Sequence, residues 1–236
     1  MARFETLARA SCTLVPLPAS RLGLLASQHV THPHAFRHYY PTQEYLEAVT
    51  DADLRYSIEV CEEGTGGILA RYRLPASVPV LKHDSRDVSI VPLRASEEGA
   101  ALMDAMRGVG HAVSPLPLLA EDAELAGPLT IAGHFLLGSG ADGVMLPRRL
   151  SGALAQRSAQ QVFLKTPEVL EMGMCGGPVA VEGGSLAGIV EGIVPLLKPG
   201  EEDGALTPLQ RKARELLGGC AVIVEARDLK RIISQV

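Results

Sequence analysis

A glycine-rich segment around one cysteine carries the strongest chemical signal in the sequence. Residues Gly173–Pro178 read GMCGGP and lead into an apolar run, Val179–Val181. Glycine permits a tight turn in which the backbone N–H groups of Gly173 and Cys175 can point together at a developing oxyanion. Proline then fixes the exit of the turn. The segment predicts a thiol nucleophile beside an oxyanion-binding loop, and the alternative is a glycine-rich hairpin with an incidental cysteine.

The first half of the chain is predicted to consist of strands that would support such a loop. Two apolar runs, Cys12–Leu17 and Leu22–Ala26, flank a polar turn and predict a β-hairpin. A stretch rich in His, Tyr and Pro, residues His32–Asp53, predicts a surface excursion with one helical turn. Further strand-like runs follow at Tyr56–Cys61, Ile68–Leu74 and Val88–Leu93. About six strands would close one barrel.

The second half repeats this all-β pattern. A connector containing Pro and acidic residues, Ser114–Pro128, predicts a domain boundary near residue 110, with domains at 1–110 and 111–236. Helical periodicity is predicted at Glu97–Arg107, Thr207–Leu217 and Ala226–Ser234. Strand-like runs occupy Leu129–Leu137, Gly143–Pro147, Ala159–Leu164, Gly177–Val181, Leu186–Pro195 and Cys220–Val224.

The loop around Cys175 resembles the G-x-S-G-G-P motif of the trypsin-like peptidases, with cysteine in place of serine. The resemblance implies an all-β fold of two six-stranded antiparallel β-barrels with a C-terminal helix. It also implies a histidine just after an early strand, and Leu24–Val30, LLASQHV, is similar to the T-x-A-H-V pattern of the HtrA/Deg branch. A lone histidine is usually a surface or core residue. The position after the predicted hairpin favours His29 as the base.

The resemblance further implies an aspartate at the start of a strand of the form D-[IV]-[AS]-[LIV]-[LIV]. Asp87–Val91, DVSIV, matches at every position, whereas the competing Asp84 has no apolar strand directly behind it. His29, Asp87 and Cys175 then follow the chain order of the family.

The match extends over nearly the whole chain. Gly127–His134 resembles the first strand of the second barrel in HtrA-like peptidases, although Phe135 stands where proline is usual. Val222–Ile233 is similar to the closing strand and helix of that protease domain, and no residues are left over for a PDZ domain.

The activity that this resemblance implies is hydrolysis of peptide bonds through a Cys-His-Asp triad and a thioester acyl-enzyme, with a polypeptide as substrate. Substrate-binding positions carried over from the family are Val169, Leu186 and Gly188, which favour a small or apolar side chain before the scissile bond. The alternative is a catalytically silent protease-fold protein that acts as a scaffold or as a subunit of a larger assembly. Loss of the nucleophile to Ala or Gly would indicate the second, but cysteine keeps reactive chemistry.

Composition excludes several other classes. Charged residues are 21% of the chain and the formal net charge is −5, so nucleic acid is not an expected partner. No apolar run is long enough to span a bilayer, and the start of the chain lacks the apolar core of a secretory signal. Hydrophobic residues make up 47%, which is compatible with a homo-oligomer or with burial against a partner.

Cysteine and histidine usage indicates neither a metal nor a cofactor. The four cysteines show no CxxC spacing, which predicts free thiols in a reducing, intracellular compartment, either cytoplasmic or organellar, with the mitochondrion as one option. Cys12, Cys61 and Cys220 lie in or beside apolar strands and are predicted to be packed thiols. Four histidines within ten residues could suggest a metal site, but Pro33 interrupts any common face and no matching carboxylate or cysteine spacing accompanies them. These are His29, His32, His34 and His38.

Overall fold

A computed structural model describes residues 6–110, 113–138, 143–158, 161–197 and 206–236. The chain is mostly β-structure, with a closed six-stranded barrel in its second half and a helix at its C-terminus. Residues 111 and 112, at the predicted domain boundary, and the first two residues of the predicted strand Ala159–Leu164 lie outside the described ranges. Within those ranges, no helix has the length and apolar character that a membrane crossing requires.

The second half forms the barrel that the sequence predicts. Its strands follow the order β10-β11-β12-β9-β8-β7, and β7 pairs with β10 to close the ring. Residues Gly133–Phe135, where the family has a turn, continue β7 without interruption. The strands are β7 Leu129–Leu137, β8 Val144–Arg157, β9 Val162–Lys165, β10 Pro178–Val181, β11 Leu186–Ile193 and β12 Ala221–Glu225.

The first half does not form the predicted closed barrel. Four strands make an open antiparallel sheet in the order β1-β2-β6-β5, and β3 and β4 pair as a separate two-stranded sheet. The strands are β1 Thr13–Leu17, β2 Arg21–Ala26, β3 Ser57–Cys61, β4 Ile68–Arg73, β5 Leu81–Lys82 and β6 Ser89–Leu93. The structure therefore contains one of the two expected barrels within the described residues.

Helices connect and cap these sheets. The helices are α1 Gln28–Thr31, α2 Ala100–Gly108, α3 Pro208–Leu217 and α4 Ala226–Ile233, and a π-helical turn at Ala95–Gly99 leads into α2. The predicted excursion consists of short 3₁₀ segments at Pro33–Tyr39, Glu44–Ala48 and Asp51–Asp53. Helix α3 begins with a capping box, in which Thr207 and Gln210 exchange side-chain to backbone hydrogen bonds.

Packing on both faces explains why the first sheet stays open. Leu25 and Ile90 face a core shared with β11, β12 and α4, where Leu229 and Ile232 are fully buried. The neighbouring Leu24 packs in the opposite direction, in a core with side chains of the β3–β4 hairpin and of α2. Each face of the sheet is thus covered by another element rather than by its own closure.

Candidate active site

Short-range geometry places His29 at the end of the β-hairpin. Strand β2 ends at Ala26, and α1 follows with Ser27 at its N-cap position, so His29 lies in the first turn of that helix. The Tyr40 hydroxyl donates a hydrogen bond to the His29 carbonyl at 2.9 Å. The backbone of His29 is therefore fixed both by α1 and by the excursion that follows it.

Asp87 binds His29 through both carboxylate oxygens. Oδ2 lies 2.5 Å from His29 Nδ1, and Oδ1 accepts the His29 backbone N–H at 2.8 Å. The two side chains are only 12% and 14% exposed, so water competes weakly for these bonds. Asp87 lies two residues before β6, while the competing Asp84 is exposed to solvent. The contact fixes the Nδ1–H tautomer and leaves the other ring nitrogen free to act on a third group.

The pKa of His29 reflects both Asp87 and Cys175. Burial lowers this pKa, but hydrogen bonding of the imidazole to Asp87 and to Cys175 and the negative charge of both residues outweigh the effect of burial and raise the pKa to about 9. The imidazole is thus favoured in its protonated form beside a carboxylate and a thiol. Asp87 is in direct contact with His29, and Cys175 is close enough to influence the charge of the ring.

The raised pKa of His29 predicts that the stability of the folded chain depends on pH. A histidine whose pKa rises from 6.5 to about 9 on folding stabilises the native state fully below pH 6.5, and the contribution is lost as the pH rises toward 9. The loss amounts to about 3 kcal/mol at most. Urea unfolding at both ends of this window is expected to show a steeper loss of stability in the wild type than in His29→Gln, and equal slopes would contradict the prediction.

The predicted nucleophile loop, Gly173–Gly177, has a backbone conformation that requires glycine at two positions. Gly173 and Gly176 have φ angles of +97° and +84°, in the left-handed region. Met174, between Gly173 and Cys175, is fully buried in the barrel core. Among the described residues, neither the N–H of Gly173 nor that of Cys175 has a hydrogen-bond acceptor. Both amides are therefore available to donate to an added group, which is one requirement of an oxyanion hole.

Hydrogen bonds from the N-terminal segment hold this loop, and no sequence motif indicated them. Ser11 donates to the Gly173 carbonyl through its N–H at 2.8 Å and its hydroxyl at 2.9 Å, and accepts the His134 N–H at 2.7 Å. Thr13 Oγ1 donates to the Gly176 carbonyl at 2.8 Å. Both side chains are buried. Ser11 and Thr13 have no local signal for this role, because their partners lie more than 120 residues away along the chain.

An aromatic side chain from the excursion covers His29. Tyr39 stacks on the imidazole with 4.8 Å between ring centroids and 27° between planes, and Phe36 meets it edge-on at 6.4 Å. A tyrosine face attracts a protonated imidazole as it does other cations. Tyr39 itself remains 55% exposed, so it forms part of the surface beside the site. The richness of the excursion in His and Tyr was the only sequence signal of this contact.

The three positions predicted to bind substrate lie in different environments. Val169 is 41% exposed, and its side chain lies beside Gly219. Leu186 is fully buried in the core shared by the two halves, and Gly188 is buried against the carbonyl of Val224. Of the three, only Val169 presents a side chain to solvent.

Two other histidines have an acidic partner different from that of His29. His32 and His34 approach Asp51, at 3.8 and 3.1 Å, and burial lowers the pKa of His32 to about 4. No group of three or more His, Cys, Asp or Glu in the described ranges is arranged to hold a metal ion. All four cysteines are free.

The remaining three cysteines were predicted to be packed thiols. Cys220 is buried and Cys61 is half-buried. The prediction is wrong for Cys12, which is exposed: it precedes β1 between Ser11 and Thr13, and alternation along an extended chain turns it away from the core that its two neighbours enter.

Comparison with known proteins adds little to this geometry. No protein-family model matches the chain, and no curated protein matches it. Among solved structures, the chain is similar to Rv3671c from M. tuberculosis H37Rv, crystallised as a serine-to-alanine mutant in its inactive form. Identity is 12% and the TM-score is 0.44, over 99% of this chain and 83% of that one. It is the chain's own closed six-stranded barrel, followed by a C-terminal helix, that fits a chymotrypsin-like fold.

Proposed function

We propose that this chain is a trypsin-like cysteine endopeptidase in which His29, Asp87 and Cys175 form the catalytic triad. The observation that carries the proposal is the imidazole of His29, bound by both oxygens of Asp87 on one side and influenced by the Cys175 thiol on the other. The proposal includes the division of the chain into halves at 1–110 and 111–236, with the base and acid on the first and the nucleophile on the second.

Each residue has a defined part in the reaction. His29 holds the proton of the Cys175 thiol as an imidazolium, and the thiolate sulfur adds to the carbonyl carbon of a peptide bond. The N–H groups of Gly173 and Cys175 stabilise the oxyanion that forms. His29 then gives the proton to the leaving amine as the C–N bond breaks, which leaves a thioester on Cys175. Water, deprotonated by His29, attacks the thioester and releases the acid and the thiol.

The substrate is proposed to be a polypeptide with a small or apolar residue before the scissile bond. The exposed side chain at the predicted pocket position is that of Val169, which is apolar rather than acidic, and this supports the preference. A thiolate nucleophile also requires a reducing environment, which agrees with four free cysteines.

Alkylation of the four thiols tests the proposal. Iodoacetamide should modify Cys175 at least about tenfold faster in the wild type than in His29→Gln at mildly acidic pH, because the imidazole that takes up the thiol proton is missing from the variant. Cys12 is the internal reference for background alkylation, since it is exposed whereas Cys175 is half-buried. Rates are measured for each cysteine by mass spectrometry of tryptic peptides.

The opposite outcome would favour the second candidate, a silent protease-fold scaffold. In that case Cys175 would react no faster in the wild type than in His29→Gln, which would mean that the imidazole does not activate it. Tyr39 stacked on His29 is the observation that favours this candidate, because it covers one face of the base.

A further inference from the structure

A partly buried ion pair between Arg86 and Glu191 contacts the backbone of Asp87. Glu191, on β11, accepts the Asp87 backbone N–H through Oε1 at 3.1 Å. Arg86 donates two hydrogen bonds to the same carboxylate, from Nε to Oε1 at 3.2 Å and from Nη2 to Oε2 at 2.7 Å. The side chains of Arg86 and Glu191 are only 11% and 15% exposed. The proposed catalytic mechanism uses neither residue.

The contacts described for the Arg86 guanidinium lie in the second half of the chain. Besides Glu191, its guanidinium donates to the Ile223 carbonyl at 3.1 Å and lies 3.6 Å from a carboxylate oxygen of Asp228 on α4. Arg86 therefore docks the segment before β6 onto β11, β12 and α4. A partly buried guanidinium needs such partners, because an unpaired charge at this depth is costly.

The backbone of β11 turns Glu191 toward this segment. The pairing of β11 with β12 shifts register between Val190 and Gly192, so that Glu191 is the extra residue of a β-bulge. Val190 faces the barrel core, whereas Ile189, two residues before Glu191, packs in the core shared with the first half. Glu191 lies on the side of Ile189, where its carboxylate meets Arg86 and the amide of Asp87.

The residue before the bulge holds the nucleophile loop. Val190 accepts the Gly176 N–H at 2.8 Å and donates its own N–H to the Gly177 carbonyl at 2.9 Å. Consecutive residues of one strand thus bind the glycines that follow Cys175 and the backbone of Asp87. This short stretch of β11 sets the separation between the nucleophile and the acid that orients the base.

We propose that Glu191 is a positioning residue, which aligns Asp87, and through it His29, with Cys175 across the two halves of the chain. The inference rests on the proposed function. It predicts that loss of Glu191 weakens the turnover of bound substrate rather than substrate binding, since Glu191 contacts the backbone of Asp87 and acts through it.

The test compares variants of the network in the full-length chain. Glu191→Ala is expected to lower kcat for a fluorogenic peptide and the rate of Cys175 alkylation by about tenfold with KM unchanged, because small displacements of reacting groups are costly in rate. Glu191→Gln, which keeps an oxygen for the Asp87 N–H, is expected to fall between it and the wild type. Asp228→Asn is the matched control: it removes a carboxylate from the same arginine without touching Asp87, and should stay within about twofold.

A purely structural ion pair gives a different result. It would lower the unfolding temperature of Glu191→Gln and Asp228→Asn alike and leave the rate per folded molecule unchanged, which overturns the proposal. The decisive measurement is a double-mutant cycle with Asp87→Asn. If Glu191 acts through Asp87, Glu191→Gln has little further effect on the rate in that background, whereas additive losses would contradict the proposal.

The same experiments separate this inference from the proposed function. A wild-type Cys175 that reacts no faster than Cys175 in His29→Gln overturns both. A wild-type Cys175 that is activated by His29, with a Glu191→Ala variant as fast as the wild type, overturns the role of Glu191 alone.

Discussion

Replacement of His29 by alanine is expected to reduce kcat for peptide hydrolysis by about 10²–10⁴-fold, the usual contribution of a general acid and base. The reason is that His29 both removes the thiol proton and returns it to the leaving amine, and the described site offers no second imidazole that contacts Asp87. The measurement is single-turnover and steady-state hydrolysis of a peptide with an apolar residue before the scissile bond.

A second histidine controls for general effects of the substitution. His34→Ala removes an imidazole of the same segment that pairs with Asp51 instead of Asp87. It should leave kcat within about twofold, because His34 takes no part in the triad. A His29→Ala variant that retains wild-type turnover would exclude His29 as the base.

Asp87→Ala should have a smaller effect than His29→Ala. A thiol ionises more readily than a hydroxyl, with a pKa of about 8.5, so an imidazole can activate it with less help from a carboxylate. Asp87 still fixes the tautomer and orientation of the ring through its contact with Nδ1. A loss as large as that of His29→Ala would contradict this assignment of roles.

Gly176→Ala is expected to lower the free energy of unfolding by more than about 3 kcal/mol, a larger loss than at the comparison position Gly183. Two effects combine at this position. The φ angle of +84° disfavours any residue with a Cβ, and the new methyl group would lie far inside contact distance of the Ser11 carbonyl oxygen. The obstacle is backbone rather than a flexible side chain, so the loop or the N-terminal segment must move.

A matched variant separates the two effects. Gly183 has a similar φ angle of +96° but open space around its Cβ position, so Gly183→Ala should cost only the backbone strain, about 1–2 kcal/mol. Chemical denaturation of both variants and the wild type gives the difference. Equal losses of unfolding free energy in the two variants would mean that the Ser11 backbone moves away from the new methyl group without loss of stability.

Local pattern was sufficient for most of the second half. Strand β7 matches its prediction at both ends, and α4 begins at the predicted residue and ends one residue early. Strand β7 could be predicted because Gly127, Pro128 and Gly138 mark its ends, and α4 because its apolar residues recur on one face. The catalytic proposal also came from local motifs, since His29, Asp87 and Cys175 each lie in a short segment of recognisable type.

The open sheet of the first half could not be predicted in this way. Strand β2 is buried at four consecutive positions, Gly23–Ala26, so both of its faces are covered. A continuous apolar run shows that a strand is buried on both faces, but not which elements cover them. The choice between a closed barrel and an open sheet under a hairpin and a helix depends on contacts between distant segments.

The amino-acid sequence by itself determined the types of the chemical groups and most of the strands that flank them. Only the tertiary structure decided that Ser11 binds the nucleophile loop, that Tyr39 covers His29, and that Glu191 reaches Asp87. Each of these contacts joins segments whose separation along the chain is unrelated to any local periodicity, and Glu191 lies at an irregularity in the pairing of β11 with β12. Such contacts are determined by the packing of whole elements, which no single segment encodes.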